Sequence, residues 1–284
     1  MENKELMITL WNHCYHRCFF CYNRGYYDFP LDLKKHIKNC LNLLKSENIK
    51  EYGCIRLVGG ELFDGFIDDF DIKKEFLEIL DQLEYLINNS TIKKVNVVTN
   101  LMYSDKSILC YVLNRFKGKI TLSTSYDEFG RFNSTSDKLT WWKNIRFLQS
   151  NYPDLEIDVG INTTQPFIET IDKKWLDEFQ EKLGKYTINF NELFAGIDNK
   201  SKKTCEYKDY FPKRRDFIQF LQKLKQWNYL NTIVGTKDTK LIHYVFDETG
   251  IAKLKDTECL QNQGYIDSEA KMRDDIKRII DADR

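Results

Sequence analysis

Six short apolar runs alternate with longer amphipathic stretches over residues 6–192, and this alternation restricts the fold more than any other feature of the sequence. The short runs have the length and residue types of β-strands, while the stretches between them carry apolar residues at helical spacing. Strands that alternate with helices in this way form a parallel sheet with right-handed crossovers. We therefore predict strands over residues 6–11, 54–58, 95–99, 119–125, 156–162 and 186–192.

Six strand–helix units are too few to close an eight-stranded barrel. The predicted fold class is therefore α/β, with an open, partial (β/α)6 TIM-like barrel over residues 1–195 and helices on its outside. Ligands of such sheets bind at the carboxyl ends of the strands. In the helical layer, Ser104 is predicted to be the N-cap of the helix before strand four. The helix after that strand is expected to bury the stripe Leu139, Trp142, Ile145 and Leu148.

The alternation weakens after about Glu192. Pro212 is expected to begin one more helix, and residues 241–246 and 251–254 are predicted to pair as a β-hairpin. A charged helix is predicted from Ser268 onward. We interpret residues 196–284 as a C-terminal α+β extension that caps the mouth of the barrel.

Charge and cysteine content restrict the partners and the compartment. Because 43 basic residues balance 43 acidic ones, no global field exists to attract nucleic acid or an anionic membrane. No run approaches the roughly 18 apolar residues of a membrane span. Eight cysteines in a chain of this length without a secretion signal indicate reduced thiols, so a cytoplasmic protein is expected.

Three cysteines, Cys14, Cys18 and Cys21, follow the first predicted strand at the spacing C-x3-C-x2-C. Three thiolates this close together can hold one metal centre from a single loop. Four protein ligands would complete a structural zinc site or an all-cysteine iron–sulfur cluster. A [4Fe–4S] cluster held by only three cysteines keeps one iron open, and that iron is where we expect chemistry.

The second motif is Gly59-Gly60-Glu61, directly after the second predicted strand. Two glycines allow the backbone to approach a ligand closely. Exposed N–H and C=O groups together with one carboxylate suit an ammonium group or an amino acid. Taken alone, the motif also fits a tight turn at the end of a strand.

The two motifs together resemble those of the radical S-adenosylmethionine (SAM) superfamily, over about residues 6–192. That family uses C-x3-C-x-aromatic-C after strand one, and Phe20 is the aromatic residue here. It also uses a Gly-Gly-Glu turn after strand two to hold the methionine amino group of SAM. Family members often place a proline after the glutamate, where this chain has Leu62.

The resemblance implies an enzyme with a [4Fe–4S] cluster on Cys14, Cys18 and Cys21 and with SAM on its open iron. Reductive cleavage of SAM then produces a 5′-deoxyadenosyl radical that removes a hydrogen atom from the substrate. The electron would come from an external flavodoxin- or ferredoxin-like donor. The implied SAM-binding residues are Gly59, Gly60, Glu61 and Phe20, with Ser123, Ser125, Asp127 and Asn162 at the ends of strands four and five.

Several alternatives remain open at this stage. The substrate is expected to be a peptide or protein side chain, because of the extended C-terminal region. A nucleotide or other small molecule is the alternative, because basic residues cluster between Lys200 and Arg215. A non-catalytic, zinc-stabilised binding module is a third possibility, with His13 or His16 completing a Cys3His site. The sequence does not identify a general acid, a general base or a second hydrogen donor.

Overall fold

The computed structural model describes residues 4–11, 13–16, 18, 33–69, 71–132, 134–192, 208–229, 240–246 and 252–256. The strands in these ranges are β1 (Lys4–Trp11), β2 (Cys54–Gly59), β3 (Lys94–Val98), β4 (Ile120–Tyr126), β5 (Glu156–Thr163), β6 (Thr187–Glu192), β7 (Lys240–Phe246) and β8 (Ala252–Asp256). The α-helices are α1 (Leu33–Leu44), α2 (Phe66–Asp69), α3 (Lys73–Asn89), α4 (Ser107–Arg115), α5 (Thr135–Asn151), α6 (Gln165–Thr170), α7 (Lys173–Leu183) and α8 (Arg214–Gln226).

All eight strands belong to one sheet, in the order β6-β5-β4-β3-β2-β1-β7-β8. Strands β1 to β6 run parallel to their neighbours, in chain order. The predicted α/β fold with six parallel strands is therefore confirmed. Within the described part of the chain, β6 and β8 are the two edges, so the sheet stays open.

One face of the sheet is apolar and packs against the helices. A row of aligned side chains crosses five strands with at most 2% exposure, namely Ile8, Leu57, Val97, Leu122 and Ile157. Thr124, on the same face of β4 as Leu122, accepts a hydrogen bond from the Trp141 indole of α5. Burial of this apolar row against the helices contributes to the stability of the fold.

The other face of the sheet is polar. Arg56 on β2 donates from Nε to Glu5 Oε1 at 2.5 Å. Asn96 on β3 donates to Thr121 Oγ1 at 2.8 Å and to Ser123 Oγ at 3.0 Å, both on β4. The alternation of apolar and polar residues along each strand therefore places a hydrogen-bonded polar surface on the face away from these helices.

Two sequence predictions about the helices are wrong in detail. Helix α4 begins at Ser107 and not after Ser104, because Asp105 Oδ1 accepts from the Ser107 N–H at 2.8 Å and sets the start. Leu139 on α5 is 64% exposed, whereas Trp141 is fully buried. The Ser134 hydroxyl caps α5, and the helix buries the face Trp141, Asn144, Ile145 and Leu148.

The C-terminal helix and strands extend the same structure. Helix α8 follows Pro212, and its Lys213 N-cap donates from the backbone to Gln165 Oε1 of α6 at 2.9 Å. Strands β7 and β8 pair antiparallel, as the predicted hairpin requires, and β7 lies parallel to β1. The predicted charged helix from Ser268 lies outside the described residues. No helix in the described ranges combines the length and the apolar character of a membrane span.

Candidate functional site

The chain that leaves β1 is hydrogen-bonded to the turn that follows β2. Trp11 O accepts from the Gly60 N–H at 2.7 Å, and His13 O accepts from the Glu61 N–H at 2.9 Å. The Trp11 indole in turn donates to Glu61 O at 2.9 Å. The start of the cysteine segment and the Gly-Gly-Glu turn therefore form one unit at the carboxyl ends of two neighbouring strands.

Gly59 is required at its position by this close approach. Its φ of +141° lies in a region that residues with a side chain rarely adopt. A β-carbon there would lie 1.9 Å from Trp11 O. The close contact that the structure describes at Gly59 is thus with the backbone of β1.

Glu61 is fully buried, and its carboxylate is hydrogen-bonded within the protein. Oε1 accepts from the backbone N–H groups of Leu62 and Phe63 and from the Thr99 hydroxyl, at 2.9 to 3.1 Å. Oε2 accepts from the Asn100 N–H at 2.5 Å. Burial raises the pKa of Glu61 to about 7, against the opposing effect of these donors, which favour the carboxylate. The side chain therefore ties the turn after β2 to the end of β3.

Cys14 and Cys18 carry thiols next to this unit. Asn100 Nδ2 donates to Cys14 Sγ at 3.5 Å, and the Cys18 thiol donates to Arg131 O at 3.7 Å. Burial raises the pKa of Cys14 to about 12, and the nearby charges of Glu61 and Cys18 add to the rise. A bound metal would replace the proton and favour the thiolate.

The remaining members of the cysteine motif, Cys21 and Phe20, lie outside the described residues. Without Cys21, no group of three metal-ligating side chains assembles in the described part of the chain. The two thiols that are described fit an iron–sulfur cluster, because thiolate is its usual protein ligand and one sulfur already receives an N–H hydrogen bond.

Polar side chains also meet after β4. Arg131, only 8% exposed, donates from Nη1 to Ser125 Oγ, while its buried Nε makes no hydrogen bond within the described residues. Asp127 Oδ1 accepts from the Phe129 N–H at 3.0 Å, and its buried Oδ2 has no hydrogen-bond partner there. Burial raises the pKa of Asp127 to about 7, although the Phe129 N–H and the Arg131 charge oppose it. Buried polar atoms of this kind call for a polar ligand.

Arg131 was missed from the sequence, while Ser125 and Asp127 were predicted. Arg131 lies in the irregular segment after β4, where no periodic pattern singles out a residue. The available signal was one arginine close behind a predicted strand. Its carbonyl contact with Cys18 connects the β4 end to the cysteine segment.

Ser123 and Asn162, which are also predicted to bind SAM, lie at different distances from the carboxyl ends of their strands. Ser123 lies two residues before Ser125 and takes part in the polar network with Asn96, so it is farther from the strand end. Asn162 is the penultimate residue of β5 and lies beside Asn191 of β6. Register places Ser125 beside Gly160, so Asn162 lies beyond Ser125 toward the strand ends.

His16 points toward the segment after β3. Its Nε2 lies 3.2 Å from Met102 O, and its Nδ1 lies 4.0 Å from Asp137 Oδ2. The ring of His13 instead makes an edge contact with Tyr15, with centroids 4.8 Å apart. The contacts of His16 favour a role in packing over completion of a Cys3His zinc site.

Comparisons with known proteins give structural similarities alone. No family model and no curated protein matches the chain. One similar solved structure is coproporphyrinogen III oxidase (HemN) from Escherichia coli, a radical SAM enzyme, with 14% identity and a TM-score of 0.48, covering 80% of this chain and 53% of that one. Another is the FeFe-hydrogenase maturase HydG from Carboxydothermus hydrogenoformans, with 12% identity and a TM-score of 0.48, covering 99% of this chain and 66% of that one. At these identities the two similarities concern the fold alone.

Proposed function

We propose that this protein is a radical SAM enzyme that holds a [4Fe–4S] cluster on Cys14, Cys18 and Cys21. The observation that carries the proposal is the direct backbone pairing between the cysteine segment and the Gly59-Gly60-Glu61 turn. This pairing lies at the carboxyl ends of parallel strands, where α/β sheets bind their ligands. The two motifs that resemble those of radical SAM enzymes therefore lie next to each other in the fold.

The bound cluster and SAM would supply a 5′-deoxyadenosyl radical able to remove a hydrogen atom from an unactivated C–H bond. The protein's own contribution is binding and orientation. The Gly59-Gly60-Glu61 turn would hold the methionine amino group through its backbone, because the Glu61 side chain is used internally. A flavodoxin- or ferredoxin-like protein would donate the electron in a reducing cytoplasm.

Arg131 and Ser125 are proposed to bind the carboxylate of SAM. Arginine matches a carboxylate with two parallel hydrogen bonds, and a buried guanidinium gains most from a negative partner. The buried Nε of Arg131 and its contact with Ser125 support this assignment. Asp127 and Asn162, near the same strand ends, are proposed to bind the ribose hydroxyls.

For the substrate we propose a peptide or protein side chain, selected by the C-terminal extension, residues 196–284. Strand β8 supports this class, because it is one edge of the sheet within the described ranges and extended peptides add to such edges.

A nucleotide is the second candidate. It is supported by the exposed Lys213 and Arg215 at the start of α8. The Lys213 backbone N–H donates to Gln165 of α6, the helix that follows β5. Replacing both with alanine should weaken binding of a phosphorylated substrate and leave peptide binding unchanged.

Anaerobic reconstitution with iron and sulfide tests the central proposal. We expect about four irons per chain, a brown chromophore and reductive cleavage of SAM to 5′-deoxyadenosine. The Cys18→Ala variant should lose all three, whereas Cys110→Ala, a control on α4, should keep them. Colourless protein that contains zinc without iron would instead favour the binding-module alternative.

A further inference from the structure

The side-chain amide of Asn100 has a fixed orientation. Its Oδ1 accepts from the Met102 N–H at 2.6 Å, and its Nδ2 lies 3.5 Å from Cys14 Sγ. Only the oxygen of an amide can accept a hydrogen bond, so the Met102 N–H determines which end faces it. The NH2 group of Asn100 must therefore face the sulfur.

The backbone that follows Asn100 adopts a strained conformation beside the candidate site. Leu101, the next residue, is fully buried at a φ of +56°, a conformation that residues with a side chain rarely adopt. Asn144 of α5 pins this turn by donating to Leu101 O at 3.0 Å and to Tyr103 O at 2.8 Å. Glu61 fixes the Asn100 N–H from the other side. Three contacts thus hold a strained turn that presents an amide to a cysteine sulfur.

We propose that Asn100 is a positioning residue that sets the reduction potential of the cluster through Cys14, an inference that rests on the proposed function. An N–H hydrogen bond to a ligand sulfur withdraws electron density and stabilises the reduced, more negative cluster. Asn100 is only 8% exposed, so water competes little with this bond. The contact therefore makes it easier for the external donor to transfer its electron.

Potentiometric titration of the loaded protein, followed by electron paramagnetic resonance, tests the inference. Asn100→Ala removes both amide contacts. Asn100→Ser keeps a hydroxyl that can accept from the N–H two residues on, but is too short to reach the sulfur. Both variants should have a lower cluster potential, by about a tenfold change in the reduction equilibrium, or about 59 mV for one electron. Asn144→Ala is the matched control, because it removes two hydrogen bonds to the same turn and keeps the Asn100 side chain.

The outcomes separate this inference from the proposed function. A lower potential in Asn100→Ser, with its thermal unfolding close to wild type and the Asn144→Ala potential unchanged, supports it. A wild-type potential in Asn100→Ser overturns it. An equal drop in Asn144→Ala would also overturn it, because the turn and not the sulfur contact would then set the potential. If wild-type protein binds no iron–sulfur cluster, the proposed function itself fails.

Discussion

Gly59 and Trp11 approach so closely that a β-carbon on residue 59 would lie 1.9 Å from the Trp11 carbonyl oxygen. The same carbonyl accepts the Gly60 N–H, so the contact can relax only if β1 and β2 separate at their carboxyl ends. These ends carry the cysteines and the Gly-Gly-Glu turn. The absence of a side chain at Gly59 therefore allows the cysteine segment and the Gly-Gly-Glu turn to lie side by side.

Gly59→Ala should therefore destabilise the protein by more than about 3 kcal/mol, because it adds a steric clash to the usual cost of a positive φ. Urea unfolding followed by circular dichroism measures the change. Gly118→Ala is the matched control, since Gly118 also has a positive φ but has no atom within 4 Å of an added β-carbon. Equal losses in the two variants would show that the contact with Trp11 is not the cause.

Replacing Glu61 with glutamine should destabilise the protein in a pH-dependent way. Either orientation of the amide turns an NH2 group toward a backbone N–H, so we expect a loss of about 1–3 kcal/mol near pH 5. Because the folded pKa of about 7 lies above the ordinary value of 4.5, the folded state favours the protonated acid. The contribution of protonated Glu61 to the free energy of unfolding is complete below pH 4.5 and is lost as the pH rises through 7.

The stability advantage of wild type over Glu61→Gln should accordingly shrink by up to about 3 kcal/mol between pH 5 and pH 8. Denaturant unfolding of both proteins without cluster at these two pH values is the measurement. An advantage that stays constant or grows with pH would mean that the hydrogen bonds outweigh burial and keep Glu61 ionised.

Arg131→Gln should weaken SAM binding about ten- to hundredfold, the range expected when a charge-assisted hydrogen bond of about 1.5–3 kcal/mol is lost. Equilibrium dialysis with loaded enzyme gives the affinity, and iron content shows whether the cluster is retained. Arg115→Gln is the control, because Arg115 pairs with Asp81 and Glu84 on the helical layer. Unchanged SAM affinity in Arg131→Gln would remove Arg131 from the binding site.

One aromatic and one aliphatic position on α5, Trp141 and Leu139, test which face of this helix is buried. Trp141→Ala should cost about 3–5 kcal/mol, because it leaves a large cavity beside β4. Leu139→Ala should change the stability by less than about 0.5 kcal/mol, because Leu139 is largely exposed. Thermal and urea unfolding of the two variants gives the comparison, and similar effects at both positions would contradict the assigned face.

The parallel strand–helix architecture was predictable because its signals are local. Each strand and helix carries its own periodicity, so β1 to β6 were found within one or two residues. The buried face of α5 was not, since Leu139, Trp141, Trp142 and Phe147 point in several directions and periodicity alone does not choose between them. The side of the helix that is buried depends on contacts with β4 and α7, which the local pattern does not contain.

The candidate site divides in the same way. Motif residues such as Cys14 and Gly59 were predictable because their spacing and their place after a strand are visible in the sequence. Arg131 and the Asn100–Cys14 contact were not, because they depend on how separate loops come together. The internal use of Glu61 was also hidden, since its donors include Thr99 and Asn100 from a different strand end.

The position of β7 beside β1 has a consequence for biosynthesis. The strand that leads to the cysteines is translated before the other seven described strands, and its second neighbour is translated after β6. A nascent or proteolysed chain that lacks β7 therefore carries an unpaired strand edge next to the cysteine segment. Such an edge invites pairing with other chains, so we expect protection by chaperones to matter most during this interval.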